Sequence, residues 1–343
     1  MIVRSRAPLR LGLAGGGTDV SPYCDRFGGA VLNATIDLYA YANLHPTDDG
    51  RVCFEAADIG RRFEASADDA MEIAEPLSLH RAVYRRIVEQ FNGGKPLPCR
   101  IVTFCDAPPG SGLGTSSTVV VALVKAFVEW LNLPLGEYEV AHLAFEIERL
   151  DAGLSGGRQD QYAATFGGVN FMEFQADDRV IVNPLRIKNW ILSELETSLV
   201  LFNSGTSRSS AAIIEQQTEN LRGDTGRTLD AFHQLKEGAF AMKEAMLKGD
   251  FERFGRLMHS AWSAKKQLAD NVSNSHIDEV METALAAGAR AGKVSGAGGG
   301  GFITFLVAAE RRPDVMRALA KQEGRVMTCH FTRHGTEGWK IYQ

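Results

Sequence analysis

Hydrophobic positions along the chain follow two different periods. Alternating or β-branched stretches over 2–13, 29–43, 51–55 and 61–65 predict strands. The spacing of Leu79, Val83, Ile87 and Phe91 predicts a helix over 77–91, and 99–106 reads as another strand. A helix over 119–131 is stopped by Asn132-Leu133-Pro134, and an amphipathic helix over 135–149 follows. Strands at 169–174 and 180–184 close this half. The apolar run 198–203 opens a second half that is helical over 209–268 and again near 277–291. A strand at 302–307, a helix at 313–323 and a terminal strand near 338–342 complete it. With no internal repeat and no low-complexity linker, the change of pattern over 185–197 divides the chain into 1–190 and 191–343.

Glycine interrupts the pattern in clusters, at 15–17, 110–114, 153–168 and 296–301. In Pro108-Pro109-Gly110-Ser111-Gly112-Leu113-Gly114-Thr115-Ser116-Ser117-Thr118, every second residue from 110 to 114 is glycine, so the backbone can take positive φ and approach a ligand closely. The helix that follows brings unpaired N–H groups and the positive end of its dipole to one point, which suits a phosphate. A plain capped turn has the same composition, so the loop alone does not decide. Gly296 to Gly301 satisfies G-x-G-x-x-G, but it runs into the strand-like 302–307 instead of opening a helix, so the dinucleotide fingerprint fails. No G-x-x-x-x-G-K-[ST] occurs.

Composition narrows the class. At 45% hydrophobic and 23% charged residues the chain reads as a soluble globular protein, and a net charge of −5 argues against a nucleic-acid partner. No apolar run approaches the ~20 residues of a membrane span, and the N-terminus lacks a signal-peptide core. Cys24, Cys53, Cys99, Cys105 and Cys329 show no metal spacing and fit reduced thiols in a cytoplasmic protein. His80, His142 and His259 fall in helical patterns with no mutual metal spacing.

Three segments in order, Arg6-Ala7-Pro8-Leu9-Arg10 with Gly15-Gly16-Gly17-Thr18-Asp19, the 108–117 loop, and Lys293-Val294-Ser295-Gly296-Ala297-Gly298-Gly299-Gly300-Gly301, resemble the motifs of the GHMP small-molecule kinases. The resemblance implies an α+β fold: an N-terminal ribosomal-protein-S5-domain-2-like domain, a C-terminal ferredoxin-like α/β domain, and an active site in the cleft between them. It implies ATP and Mg²⁺, with the triphosphate on Pro108, Gly110, Ser111, Gly112, Leu113, Gly114, Thr115, Ser116 and Ser117. The metal falls to Ser116 and to Glu148, twelve positions before the catalytic Asp as in galactokinase-like members, with Glu146 the alternative. Asp160 resembles that catalytic Asp, a turn residue being its bland reading. Arg10 sits where those members carry a basic residue, with a structural ion pair as its alternative. These roles suit phosphoryl transfer, which needs positioning and charge neutralisation more than covalent chemistry, and a metal that keeps most of its waters.

The first motif has glycines where galactokinase has Glu-His, and so resembles the branch of the family that acts on heptose 7-phosphates and fucose. The implied activity is transfer to the anomeric hydroxyl of a heptose 7-phosphate, supplying nucleotide-activated heptose for surface glycans. The sugar is expected on Gly15, Gly16, Gly17, Thr18, Asp19, Gly296, Gly298 and Gly299. Its distal phosphate is expected on Arg158, Arg208, Lys265 or Lys266, each of which equally suits a solvated surface charge. A fucose or other sugar 1-kinase, a non-catalytic sugar or nucleotide sensor, and an RNA-binding module are the competing readings. The presence of Asp160, Ser116 and Glu148 together argues against the sensor, and the acidic balance against RNA. A homodimer is compatible with the sequence.

Overall fold

The computed structural model describes residues 1–205, 210–223 and 226–342. Its strands are β1 (Ile2–Ala14), β2 (Gly29–Pro46), β3 (Arg51–Ala56), β4 (Arg61–Ser66), β5 (Cys99–Cys105), β6 (Val169–Phe174), β7 (Val180–Pro184), β8 (Leu199–Asn203), β9 (Ala289–Val294), β10 (Phe302–Val307), β11 (Arg325–Met327) and β12 (Glu337–Ile341). The helices are α1 (Tyr23–Phe27), α2 (Ser78–Phe91), α3 (Thr115–Leu131), α4 (Glu137–Glu146), α5 (Gln159–Phe166), α6 (Asn189–Ser198), α7 (Ser210–Gly223), α8 (Arg227–Lys248), α9 (Phe251–Lys265), α10 (Ser275–Ala286) and α11 (Arg312–Leu319).

One sheet runs β12-β1-β2-β5-β3-β4, with β6 and β7 continuing from the first half of β2. The period of two along β1 decides what lies on each side. Leu9, Leu11 and Leu13 enter a core shared with Met242 and Met246 of α8 and Phe254 and Met258 of α9. Arg10, between them, turns to the opposite face, towards α5. The pairing of β1 with β2 shifts register between Pro8 and Arg10, a bulge that re-aims the strand beside the cleft. The other large core packs α2 and α3 on the same sheet, through Val83, Ile87, Val120, Val124 and Phe127.

The second sheet is antiparallel in the order β11-β8-β10-β9, the strand order of a ferredoxin-like βαββαβ unit. The structure departs from the predicted elements in several places. Residues 289–291, expected as the end of a helix, belong to β9, because Gly288 with φ 112° ends the turn after α10. The 153–168 glycine stretch contains a helix, α5, so Asp160 stands in a first helical turn rather than in a loop. Most of 185–197, expected as the change between halves, lies in helix α6 (Asn189–Ser198). The last strand returns to the first sheet, pairing Ile2 with Ile341 and Arg6 with Glu337. No helix among the described residues is long and apolar enough to cross a membrane.

His80 of α2 is buried and its Nε2 meets the Thr103 hydroxyl of β5 at 2.8 Å. Burial pushes its pKa down from 6.5 to about 4. The unfolded chain therefore binds this proton more readily, and the neutral imidazole's contribution is lost as pH falls from about 6.5 through about 4. We expect His80→Leu to flatten part of the acid limb of the stability curve, by at most ~3 kcal/mol. Urea unfolding at pH 7 and pH 4.5 measures it; an equal acid loss in both proteins would count against the assignment.

Candidate active site

A cavity of about 580 Å³ is lined by residues of β1, β3, β4 and β5, of α2, α3, α5, α7 and α9, and of the loops between them. Part of its wall is formed by Pro109, Gly110, Gly112 and Gly114 of the turn between β5 and α3 and by Thr115, Ser116 and Ser117 of the first turn of α3. Gly110, Gly112 and Gly114 all take positive φ, between 74° and 80°, as their spacing predicts. Helix α3 starts at Thr115, four residues earlier than the apolar pattern suggests, so its unpaired first-turn N–H groups open on the cavity. Pro108, Ser111 and Leu113 do not line it: the Ser111 N–H donates to Pro108 O and Leu113 is wholly buried.

Neighbouring strands hold this loop. The Arg10 N–H donates to Leu113 O at 3.2 Å, and the Phe302 N–H donates to Ser111 O at 2.8 Å. A Cβ on Gly112 would lie 2.5 Å from Ser295 O, and one on Gly301 would lie 2.3 Å from Ser111 O. The 295–301 turn therefore packs backbone to backbone on the central loop. Gly296 and Ala297 reach the cavity wall, whereas Gly298 and Gly299 sit against Val272, the Gly299 N–H donating to Val272 O at 2.8 Å.

Arg10 is 4% exposed and spans the loop and α5. Its Nε and Nη2 approach Asp160 Oδ1 at 2.7 and 2.6 Å, and its Nη1 donates to Gly112 O at 2.7 Å. Asp160 keeps one-fifth of its side chain open to the cavity.

Glu148 is fully buried at the cavity wall. The chain bulges there: the Ala152 N–H reaches back five residues to Ile147 O, a wider helical turn of the kind that marks functional sites. Glu148 accepts from the Ser116 hydroxyl at 2.8 Å, from the Ser117 hydroxyl at 2.6 Å and from Gln161 Nε2 at 2.6 Å, and lies 3.3 Å from Arg149. Glu146, the alternative carboxylate, instead pairs with Arg86 at 2.9 Å away from the cavity. The sequence assigns no role to Gln159 and Gln161, which flank Asp160 in its motif, or to Arg149, which is distinguished only by following Glu148.

The residues expected on the sugar separate into two groups. Gly17 and Asp19 line the cavity, whereas Gly15, Gly16 and Thr18 do not. Thr18 is buried, its hydroxyl donating to Gly15 O or Ala30 O. The Asp19 carboxylate is 1% exposed and faces protein donors: Oδ2 accepts from the Arg158 and Gln159 backbone N–H groups at 3.0 and 3.1 Å, Oδ1 from Gln159 Nε2 at 2.9 Å and Gly17 N at 3.2 Å. It caps the start of α5. Arg158, expected on a distal phosphate, turns away from the cavity to Asp178, Asp25 and the Phe145 ring. Lys266 lies over the Trp262 ring. Arg208 falls outside the described residues. Lys265, from α9, is buried in the wall, with Nζ 2.9 Å from Gly16 O.

One cavity thus brings together a glycine loop at a helix start, a carboxylate held by a buried arginine and a second carboxylate on two hydroxyls. Models of the GHMP kinases N terminal domain and GHMP kinases C terminal match residues 78–168 and 242–325. The D-glycero-alpha-D-manno-heptose 7-phosphate kinase of Campylobacter jejuni is 47% identical over 339 residues, 99% of each chain. A crystal structure from Bacteroides thetaiotaomicron described as a D-glycero-D-manno-heptose 1-phosphate kinase superposes with a TM-score of 0.85 at 47% identity, covering 99% of this chain and 100% of that one. The L-fucokinase/L-fucose-1-P guanylyltransferase of Bacteroides fragilis is 27% identical over 334 residues, 90% of this chain but 34% of its own length. The chain belongs to the GHMP kinases and is an ATP-dependent phosphotransferase.

Two substitutions test the packing. Gly112→Ala should destabilise the protein by ~2 kcal/mol or more, because left-handed strain adds to a clash with Ser295 O. Gly60→Ala, at φ 62° with nothing within 4 Å of its added Cβ, should cost about 1 kcal/mol from strain alone. Equal losses in thermal unfolding would contradict the loop-on-loop contact. Asp19→Asn turns an NH₂ towards N–H donors and should cost ~2–4 kcal/mol; a variant as stable as wild type would remove the capping role.

Proposed function

We propose that the protein transfers the γ-phosphate of ATP to the anomeric hydroxyl of D-glycero-α-D-manno-heptose 7-phosphate, giving the 1,7-bisphosphate. The observation that carries this reading is Asp160, held by Arg10 beside the glycine cradle, in a chain 47% identical along its length to a heptose 7-phosphate kinase. The cradle N–H groups of 110–117 receive the triphosphate. The base fits the apolar end of the cavity, among Ala56, Ile59, Leu79, Cys105 and Ala107. Asp160 lies at the other end with Gly17, Gln159, Gln217 and Lys265, where it accepts or orients the proton of the acceptor hydroxyl.

A magnesium ion fits this donor set. Ser116 Oγ and Glu148 Oε1 are 2.8 Å apart in the cavity wall and supply one hydroxyl and one carboxylate oxygen, leaving the remaining positions to phosphate and water. When bound, the ion neutralises charge on the β- and γ-phosphates. Gln161 and Ser117 hold the other oxygen of Glu148, which keeps Oε1 directed at Ser116.

The test is a panel of acceptors with ATP and Mg²⁺, read by ADP release: heptose 7-phosphate, heptose 1-phosphate, free heptose, fucose and galactose. Heptose 7-phosphate should give the highest kcat/KM, and Asp160→Asn should lower it by ~10²–10⁴. Preference for any other sugar would replace the acceptor assignment.

A further inference from the structure

Four lysine and arginine side chains line the cavity among the described residues. Arg10 pairs with Asp160, Arg61 with Glu75 and Arg149 with Glu148. Lys265 forms no ion pair with a carboxylate among the described residues, although it is the most buried of the four apart from Arg10, at 7% exposure. A buried charge without a partner is costly and calls for an anion. Of its three donors, one meets Gly16 O at 2.9 Å and a second meets Gln217 Oε1 at a long 3.5 Å. Burial lowers its pKa from 10.5 to about 8, Arg10 adding to the shift and Asp19 opposing it.

The first glycine motif makes room for this ammonium. A Cβ on Gly17 would lie 2.9 Å from Lys265 Nζ and 3.8 Å from Gln217 Oε1, so a larger residue at 17 would displace the head group. Gly17, at φ 104°, also lines the cavity. The departure from the galactokinase pattern at 16–17 thus coincides with a cation standing in the space that a side chain there would fill.

We propose that Lys265 binds the phosphate that the sugar already carries, with Gln217 and Gly17 shaping the pocket around it. The inference rests on the sugar-phosphate reading above. It makes Lys265 a specificity residue: a phosphorylated acceptor gains a charge-assisted contact that a free sugar does not.

The experiment compares kcat/KM for heptose 7-phosphate and for unphosphorylated heptose in wild type, Lys265→Met and Gln217→Glu. Methionine keeps the apolar stem and removes the charge. Glutamate at 217 offers the ammonium an internal partner and serves if the methionine variant does not fold. Each variant should reduce the ratio of the two kcat/KM values by 10- to 100-fold, chiefly through KM for the phosphorylated sugar. A fall shared equally by both sugars would make Lys265 a strap for the Gly16 turn or a contact to the γ-phosphate, and would overturn the inference. No change with either sugar would overturn it as well. If wild type fails to use heptose 7-phosphate at all, the functional reading itself has failed. If wild type uses it and the ratio does not move, only the role of Lys265 is lost.

Discussion

The guanidinium of Arg10 joins segments that lie 102 and 150 residues away along the chain, the carbonyl of Gly112 and the carboxylate of Asp160. At 4% exposure this ion is stable only because both partners are present. The arrangement makes the site rigid: the glycine loop cannot shift relative to Asp160 without uncovering a buried charge. Phosphoryl transfer depends on such fixed distances, since its rate comes from alignment and charge placement. The bulge in β1 beside Pro8 is the price of directing Arg10 into this position.

Three of the glycine clusters look alike in sequence and do different physical work. The 110–114 cluster curls through positive φ to present N–H groups to the cavity. The 295–301 cluster is a hairpin turn between β9 and β10 whose missing side chains let it lie directly on that curl. The 15–17 cluster makes a tight turn whose Gly16 carbonyl is held by Lys265. Glycine density therefore marks close approach of backbone, and only geometry separates approach to a ligand from approach to another loop.

Much of this was legible from the residues. The periods of two and 3.6 located most elements, and the motif resemblance brought Arg10, Gly112, Ser116, Glu148 and Asp160 to one cavity. What escaped is what local pattern does not encode. Asp19 reads as a sugar ligand because the first motif resembles that of galactokinase and keeps this Asp, yet its oxygens are taken up by the N–H groups of a helix 139 residues away. Arg158 reads as a free cation, but Asp25 and Asp178 lie beside it only in the folded chain. Strand β9 is too short and alanine-rich to be told from the end of a helix without its partner β10. The return of the last strand to β1 is a long-range pairing that no local window contains.

The chemistry of the cavity changes along its length, and each part comes from a different layer of the fold. At one end, the hairpin β3–β4 with α2 and β5 supplies an apolar wall whose one buried imidazole stays neutral well below pH 7. In the middle, a helix start supplies N–H groups, and a wider helical turn supplies a buried carboxylate. At the far end, α9 supplies an ammonium, and β1 and α5 supply the Arg10–Asp160 pair. Arg10, Lys265 and Lys293 outnumber the nearby carboxylates of Asp19 and Asp160. Lys293 is half-buried, with Nζ 2.5 Å from Gly12 O and no carboxylate ion pair among the described residues, and its pKa is pushed down to about 7 by desolvation and by Lys265 and Arg10. Cations outnumber carboxylates at the far end, whereas at the apolar end Arg61 is matched by Glu75 at 3.1 Å.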